Sequence, residues 1–324
     1  KNRQTCCGGA TCVNKRCTPR CTVCASGCAY TTVNAAYAAA APGAVITIDS
    51  GTYPTEILVT KDITLRACEG ATEVVLFPTR TTFMNDSYYV VIGEDLVDTT
   101  TKHAVTLEGL TFTVSSPGEL YDEAMISSTT NGTVSWTVRG CTFTGAFIIG
   151  IDAYNGTQVI ENSTVTGGYY GLGFDMDDPA ASVNVTGCSL TNNANAGLIS
   201  LGGVTQITGC TVSGNAYGGI GLRSGVMTVT DTLVTGNRQD FGQDWAGGVW
   251  VLAEANATIT FAGSTLVTGN SAPAASGFGI FNSASYTVTV VGVSSSNVYG
   301  NTGSYQCALT TDNTVFTPVP NCAF

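Results

Sequence analysis

One short pattern recurs along most of this chain, and it restricts the fold more than any other feature. If the cysteine of "GCTFTG" is taken as a marker, equivalent positions follow at intervals of 22, 25, 22, 22 and 33 residues. The marker positions are Cys141, Ser163, Cys188, Cys210, Thr232 and Thr265. Each repeat holds three short segments of alternating apolar and polar residues that end at Gly, Asn or Asp. Such a period predicts an all-β solenoid with three strands per turn.

Stacking of the turns explains which residues occupy the repeated positions. Successive turns lie about 4.8 Å apart, so each residue lies above its equivalent in the next turn. Apolar residues follow two positions after the marker, at Phe143, Val165, Leu190, Val212, Val234 and either Leu266 or Val267. Asparagines follow five positions after it, at Asn193, Asn215, Asn237 and Asn270. We predict that the asparagines form an amide ladder, and that the three marker cysteines are buried fillers rather than ligands or nucleophiles.

Charge and cysteine content restrict the partners and the location. A net charge of −11 disfavours nucleic acid and anionic lipid. No apolar run is long enough to span a membrane. Ten of the 13 cysteines lie outside the marker positions, and we predict that they form disulfides in a secreted or cell-surface protein. These are Cys6, Cys7, Cys12, Cys17, Cys21, Cys24, Cys28, Cys68, Cys307 and Cys322. The one pairing that we predict among them is Cys307 with Cys322.

The segment "YTTVNAAYAAAAPGAVITIDSGTYPTEILVTKDITLRAC" resembles the start of the right-handed parallel β-helix, or pectate-lyase-like, superfamily. The resemblance covers roughly residues 29–302 and implies a short capping helix, stopped here by Pro42 and Gly43. It also implies strands at Gly51–Tyr53 and Val59–Leu65. The predicted parts are a cysteine-rich extension (1–28), the capping helix (29–43), the parallel β-helix (44–302) and a C-terminal cap or strap (303–324).

Acidic residues on the second strand of each turn indicate a candidate site. Alternation directs Asp152 and Asp175 outward, and we predict that they stack in adjacent turns with Asp177 just beyond. Two stacked carboxylates require a proton, a cation or an arginine, which makes calcium a candidate ligand. The polysaccharide lyases of the superfamily bind acidic sugars through calcium and use Arg or Lys as a base. By this resemblance, Arg223 is the candidate base.

The later turns of the same face carry aromatic and aliphatic residues. Trp250 and Phe281 are directed outward, where they could stack on sugar rings or contact another subunit. They could equally lie beneath the longer segment 236–248, which could also bring Asp240 and Asp244 near Arg223. Both arrangements remain open at the level of the sequence.

Two classes of function follow. The first is a non-catalytic extracellular protein with a structural, adhesive or carbohydrate-binding role, whose partner is a polysaccharide or another copy of itself. We favour it because most turns are too short to build walls around a cleft. The second is a calcium-dependent lyase that acts on acidic polysaccharide. Esterase or glycoside hydrolase activity is less favoured, because the signature strings of pectin methylesterases and polygalacturonases are absent.

Overall fold

The chain winds into a coil with three parallel β-sheets. The computed structural model describes residues 11–13, 16–18, 21–78, 89–94, 101–113, 123–127, 134–145, 149–239, 246–273, 275–282, 286–302 and 305–311. Within them, each sheet contains ten strands, and strands that neighbour each other in a sheet come from successive turns. The predicted β-helix is confirmed. Strands are numbered below in chain order.

The three sheets are named A, B and C in the order in which the chain enters them. Sheet A contains β3 (Ala44–Ile48), β6 (Ile63–Ala67), β9 (His103–Glu108), β12 (Val134–Arg139), β15 (Thr157–Glu161), β18 (Ser182–Thr186), β21 (Val204–Thr208), β24 (Gly225–Thr230), β27 (Ala257–Ala262) and β30 (Val288–Val291). Sheet B contains β4 (Gly51–Pro54), β7 (Val74–Phe77), β10 (Thr111–Thr113), β13 (Thr142–Thr144), β16 (Thr164–Thr166), β19 (Ser189–Thr191), β22 (Thr211–Ser213), β25 (Leu233–Thr235), β28 (Leu266–Thr268) and β31 (Val298–Tyr299). Sheet C contains β5 (Ile57–Val59), β8 (Tyr89–Glu94), β11 (Glu123–Ser127), β14 (Ile149–Tyr154), β17 (Tyr170–Asp175), β20 (Leu198–Ser200), β23 (Ile220–Leu222), β26 (Val249–Ala253), β29 (Ala275–Asn282) and β32 (Tyr305–Thr311).

The hydrophobic core fills the inside of the coil. Every second residue of a strand points inward, and inward residues of successive turns stack on one another. Phe112 and Phe143, for example, are both fully buried, and their ring centroids lie 4.8 Å apart in parallel planes. Because each turn covers the apolar residues of the next, stability depends on contacts between neighbouring repeats.

The marker residues form a buried ladder beside this core. The Ser163 hydroxyl accepts a hydrogen bond from the Cys141 amide at 3.1 Å, and the Cys210 thiol accepts one from the Cys188 amide at 3.4 Å. Burial raises the pKa of the Cys141 thiol to about 11, so this thiol is uncharged at neutral pH. The interpretation of these cysteines as fillers therefore agrees with their surroundings.

The predicted asparagine ladder is present and continues further than the sequence indicated. Asn193 donates to Asn215 Oδ1 at 2.9 Å, and Asn215 donates to Asn237 Oδ1 at 2.8 Å. The ladder continues through Asn270 to Asn301, whose amide donates to Gln306 Oε1 at 3.0 Å. Each side-chain amide thus hydrogen-bonds to its neighbour in a buried position, where an unpaired polar group would lower the stability of the fold.

A short helix, α1 (Val33–Ala39), lies near the first turn. The Thr32 side chain accepts from the Ala35 amide at 3.2 Å and so caps its N-terminus. The predicted single strand over Val59–Leu65 is wrong, because the chain turns there from β5 into β6. That corner is held by α1, since Lys61 Nζ donates to the Ala40 carbonyl at 2.8 Å and the Tyr37 hydroxyl accepts from the Thr60 amide.

One disulfide attaches the N-terminal segment to the coil, and a second closes a short loop within that segment. Cys21 bonds to Cys68, and Cys24 bonds to Cys28. Upstream, β1 (Thr11–Val13) and β2 (Arg16–Thr18) pair in antiparallel fashion with Cys12 opposite Cys17 in the backbone register. Cys6 and Cys7 lie outside the described residues.

The C-terminal end of the coil differs from the predicted boundary at residue 302. Strand β32 pairs in parallel with β29, so the coil continues to at least Thr311. Cys307, in this strand, is disulfide-bonded. Its predicted partner Cys322 lies outside the described residues, and their pairing stays a prediction.

Candidate functional site on the outer face of sheet C

The outer face of sheet C presents two columns of side chains from successive turns. The first outer column contains Asp152, Gly173, Ile199, Gly221, Trp250 and Gly279. The second outer column begins with the pair Tyr154 and Asp175 and ends with the pair Leu252 and Phe281. Between them lie Leu201 and Arg223, which directly follow the paired strand ends Ser200 and Leu222. Neighbours within a column lie about 4.8 Å apart, because the strands are adjacent and in register.

The predicted vertical stacking of Asp152 on Asp175 is wrong by two residues. Asp152 lies opposite Gly173, while Asp175 lies opposite Tyr154. A shift of two residues leaves the same side chains directed outward, so alternation alone cannot distinguish the two alignments. The two carboxyl groups therefore share a face as diagonal neighbours in adjacent columns.

The two carboxyl groups still influence each other. Burial raises the pKa of Asp152 to about 7, and the negative charge of Asp175 adds to the effect. The pKa of Asp175 is also raised, first by burial and then by Asp177, while the positive charge of Arg223 opposes the shift. Near neutral pH the face thus holds one carboxyl group, that of Asp152, that is partly protonated.

The predicted calcium ligands Asp152, Asp175 and Asp177 do not form a metal-binding group. In the part of the chain that the structure describes, no three His, Cys, Asp or Glu side chains are grouped closely enough to hold a metal ion. The physical reason is the register, which places Asp152 and Asp175 in different columns, together with the position of Asp177 beyond the end of β17.

Arg223 is the positive group of the face. Its Nη1 lies 3.2 Å from Glu254 Oε1, and its buried Nε has no hydrogen-bond partner among the described residues. A guanidinium group is a strong donor that stays protonated, so Arg223 is suited to hold an oxygen-rich or anionic group. The predicted neighbours Asp240 and Asp244 lie outside the described residues.

Three tyrosines border the charged residues, and the sequence analysis did not single them out. Tyr169 and Tyr170 pack edge to face with centroids 4.9 Å apart, and Tyr169 is 41% exposed. Burial raises the pKa of Tyr170. Two neighbours, Tyr169 and Tyr217, add to this shift, and the positive charge of Arg223 opposes it. Tyr170 therefore lies within electrostatic range of Tyr169, Tyr217 and Arg223. The available signal was "GYYG" and "AYGG", two tyrosine segments at the same bend of the repeat.

The later turns of this face are covered. Trp250 is fully buried and Phe281 is 7% exposed, so neither lies open to a sugar ring or a partner subunit. The indole of Trp250 lies against Gly221, where any Cβ would collide with it. Ala246 packs on Trp250 and Phe281, which is the covered arrangement that the sequence left open. The interpretation of these two residues as an exposed binding stripe is therefore wrong.

Comparison with known proteins agrees with this architecture. A model of the right-handed β-helix region matches residues 124–316, so the chain belongs to that family. A crystal structure of a deglycosylated pectin methylesterase from Aspergillus niger is similar, with 14% identity, a TM-score of 0.52, and coverage of 87% of this chain and 88% of that one. A crystal structure of the pectate lyase Pel9A matches with 16% identity, a TM-score of 0.44, and coverage of 81% and 73%. At these identities the similarity concerns the fold alone.

A search of curated proteins found no match. Among the residues that the structure describes, none of the helical segments has the length and apolar content needed to cross a membrane.

Proposed function

We propose that this protein is an extracellular, non-catalytic β-helix protein that binds a carbohydrate chain on the early turns of the outer face of sheet C. One observation carries the proposal: Asp152 and Asp175 lie on adjacent strands of this face, and Arg223 is within electrostatic range of both Asp175 and Tyr170. Carboxylates and a guanidinium can hydrogen-bond to sugar hydroxyls, while a tyrosine ring can cover the apolar side of a sugar.

The rigidity of this face supports binding. The side chains belong to strands whose inward residues are buried, as at Leu172 and Phe174 in β17 and Leu222 in β23. Groups fixed by a packed scaffold lose little conformational entropy when a ligand binds. A face that repeats from turn to turn also suits a ligand made of repeated units.

An extracellular location is supported by the two disulfides at the N-terminal end, Cys21–Cys68 and Cys24–Cys28. Disulfides persist in oxidising surroundings and are rare in the reducing cytosol.

Calorimetric titration with a panel of neutral and acidic oligosaccharides tests the proposal. We expect Asp175→Asn and Tyr170→Ala each to weaken binding about tenfold, which corresponds to about 1.4 kcal/mol. Thr228→Ala, on the outer face of sheet A, is the matched control and should bind as the unmodified protein does. The proposal fails if no oligosaccharide binds, or if all three variants bind equally well.

A second candidate is cleavage of a polysaccharide on the same face. The observation that favours it is the raised pKa of Asp152, about 7, beside a second carboxyl group at Asp175. Two carboxyl groups of different pKa can serve as acid and base. Reducing-end and unsaturated-product assays, with and without added calcium, distinguish hydrolase from lyase activity. Loss of activity in Asp152→Asn supports the carboxyl pair, whereas selective loss in Arg223→Ala supports Arg223 as the base of a lyase.

A further inference from the structure

The outer face of sheet B carries a pair of hydroxyl groups in each of five consecutive strands. In β10, β13 and β16 both outward residues are threonine, and in β19 and β22 one of the two is serine. These strands pair in register, as Thr142 with Thr164 and Thr144 with Thr166. The hydroxyl-bearing side chains therefore form two straight columns, with steps of about 4.8 Å along a column and about 6.6 Å between columns.

The positions of these side chains are tightly fixed. The residue between each pair is fully buried in the core, as at Phe143, Val165 and Leu190. Threonine is branched at Cβ and has few rotamers, so each pair presents a methyl and a hydroxyl group in a restricted geometry. A surface ordered in this way loses little entropy on binding.

The hydroxyl groups are available to a ligand. Every outward residue of these five strands is at least partly exposed. Thr191 donates to Thr166 at 3.3 Å, and within the described residues no other hydroxyl of the five strands bonds to a protein group. Their remaining donors and acceptors are thus free for water or for a partner outside the chain.

The face also excludes several classes of partner. None of the described strands of sheet B contains a charged residue. The whole chain has 35 such residues, of which 12 are Lys or Arg and 23 are Asp or Glu. Ionic polymers and mineral surfaces therefore find no counter-charge here. From β10 to β28 no aromatic side chain points outward in the described strands, so sugar rings find no stacking surface.

We propose that the outer face of sheet B over β10–β22 binds the surface of ice crystals. Ice is a neutral, regularly repeating lattice whose surface offers hydrogen-bond donors and acceptors together with gaps that accept methyl groups. A regular array of fixed threonines and serines can hold ordered water in a matching pattern, since water bound by protein hydroxyls keeps nearly full hydrogen bonding. The site lies on a different sheet from the proposed carbohydrate site and does not depend on it.

Ice-affinity partitioning and thermal hysteresis test the proposal. We expect the unmodified protein to enter growing ice and to produce a measurable hysteresis. Thr164→Lys places a charged chain in the middle of the array and should abolish both effects. The matched control is Thr228→Lys, which makes the same change on the outer face of sheet A and should retain them.

Circular dichroism and thermal unfolding check that both variants fold. A second variant, Thr164→Val, keeps the shape and removes one hydroxyl, and a partial loss of hysteresis is expected. The proposal is overturned if the unmodified protein is excluded from ice, or if the two lysine variants behave alike. The proposal is also overturned if the unmodified protein shows no ice activity but binds insoluble cellulose or chitin, and Thr164→Lys removes that binding. In that case the face binds a polysaccharide surface.

Discussion

The early and late turns of sheet C have the same strand pattern but different outer faces. In β14 and β17 the outward positions hold Asp152 and Asp175, which remain partly exposed. In β26 and β29 they hold Trp250 and Phe281, which are buried beneath Ala246. The same alternation thus produces a polar surface in one half and a second small core in the other.

The comparison shows that strand alternation determines direction but not exposure. An outward side chain is open to solvent only where no other segment lies over it, and that depends on the bends between strands. The longer bend before β26 supplies Ala246, whereas the bends before β20 and β23 remain short. The proposed carbohydrate site therefore lies in the half that stays open.

The largest expected effect is that of Trp250→Ala. It removes a fully buried indole from the small core of Trp250, Phe281 and Ala246, so we expect a loss of about 3–5 kcal/mol in the free energy of unfolding. Denaturant unfolding measures it. Tyr169→Ala, at an exposed aromatic residue of the open half, is the control and should lose much less. Equal losses would show that the two halves do not differ in burial.

Gly221→Ala tests the same contact from the opposite side. Trp250 lies directly against Gly221, so a methyl group forces the indole to move. We expect a loss of about 1–3 kcal/mol, as for other overpacked positions. Thr228→Ala, on the outer face of sheet A, serves as a comparison and should not shift the tryptophan fluorescence. An unchanged emission spectrum in Gly221→Ala would contradict the contact.

The sequence predicted the regular parts of this molecule better than its site. Residues repeated in many turns, such as Cys188, Cys210 and Asn215, identified the ladders because every turn imposes the same packing on them. Asp152 and Asp175 occur only once each, so their alignment rested on alternation, which allows a two-residue error. Alternation gave the direction of Trp250 but not its burial, because its cover comes from a bend that differs between turns.

The raised pKa of Asp152 should make the stability of the protein depend on pH. Its pKa is about 7 in the folded protein and about 3.9 in an unfolded chain, so the folded state binds more protons between these values. Its contribution to stability is therefore present below about pH 4 and is lost as the pH rises through about 7. Asp152→Asn should lessen this decline and gain on the order of 1 kcal/mol at about pH 8, after allowance for solvent screening.

Unfolding measured in parallel at about pH 4 and pH 8 checks this prediction. Thr228→Ala is the control and should keep the slope of the unmodified protein. An identical slope in Asp152→Asn would show that burial of this carboxyl group does not raise its pKa.

The smallest expected effect concerns the ion pair at the boundary between the two halves. Arg223 and Glu254 lie 3.2 Å apart, but both side chains are substantially exposed, at 32% and 57%. A double-mutant cycle with Arg223→Gln and Glu254→Gln should therefore give a coupling of about 0.2–1 kcal/mol that falls as salt is added. A larger coupling that is insensitive to salt would mean that the pair is shielded from solvent, and that the covered half extends one turn further than Trp250. In that case Arg223 would belong to the small core rather than to the open face, and the proposed carbohydrate site would lose its only described cation.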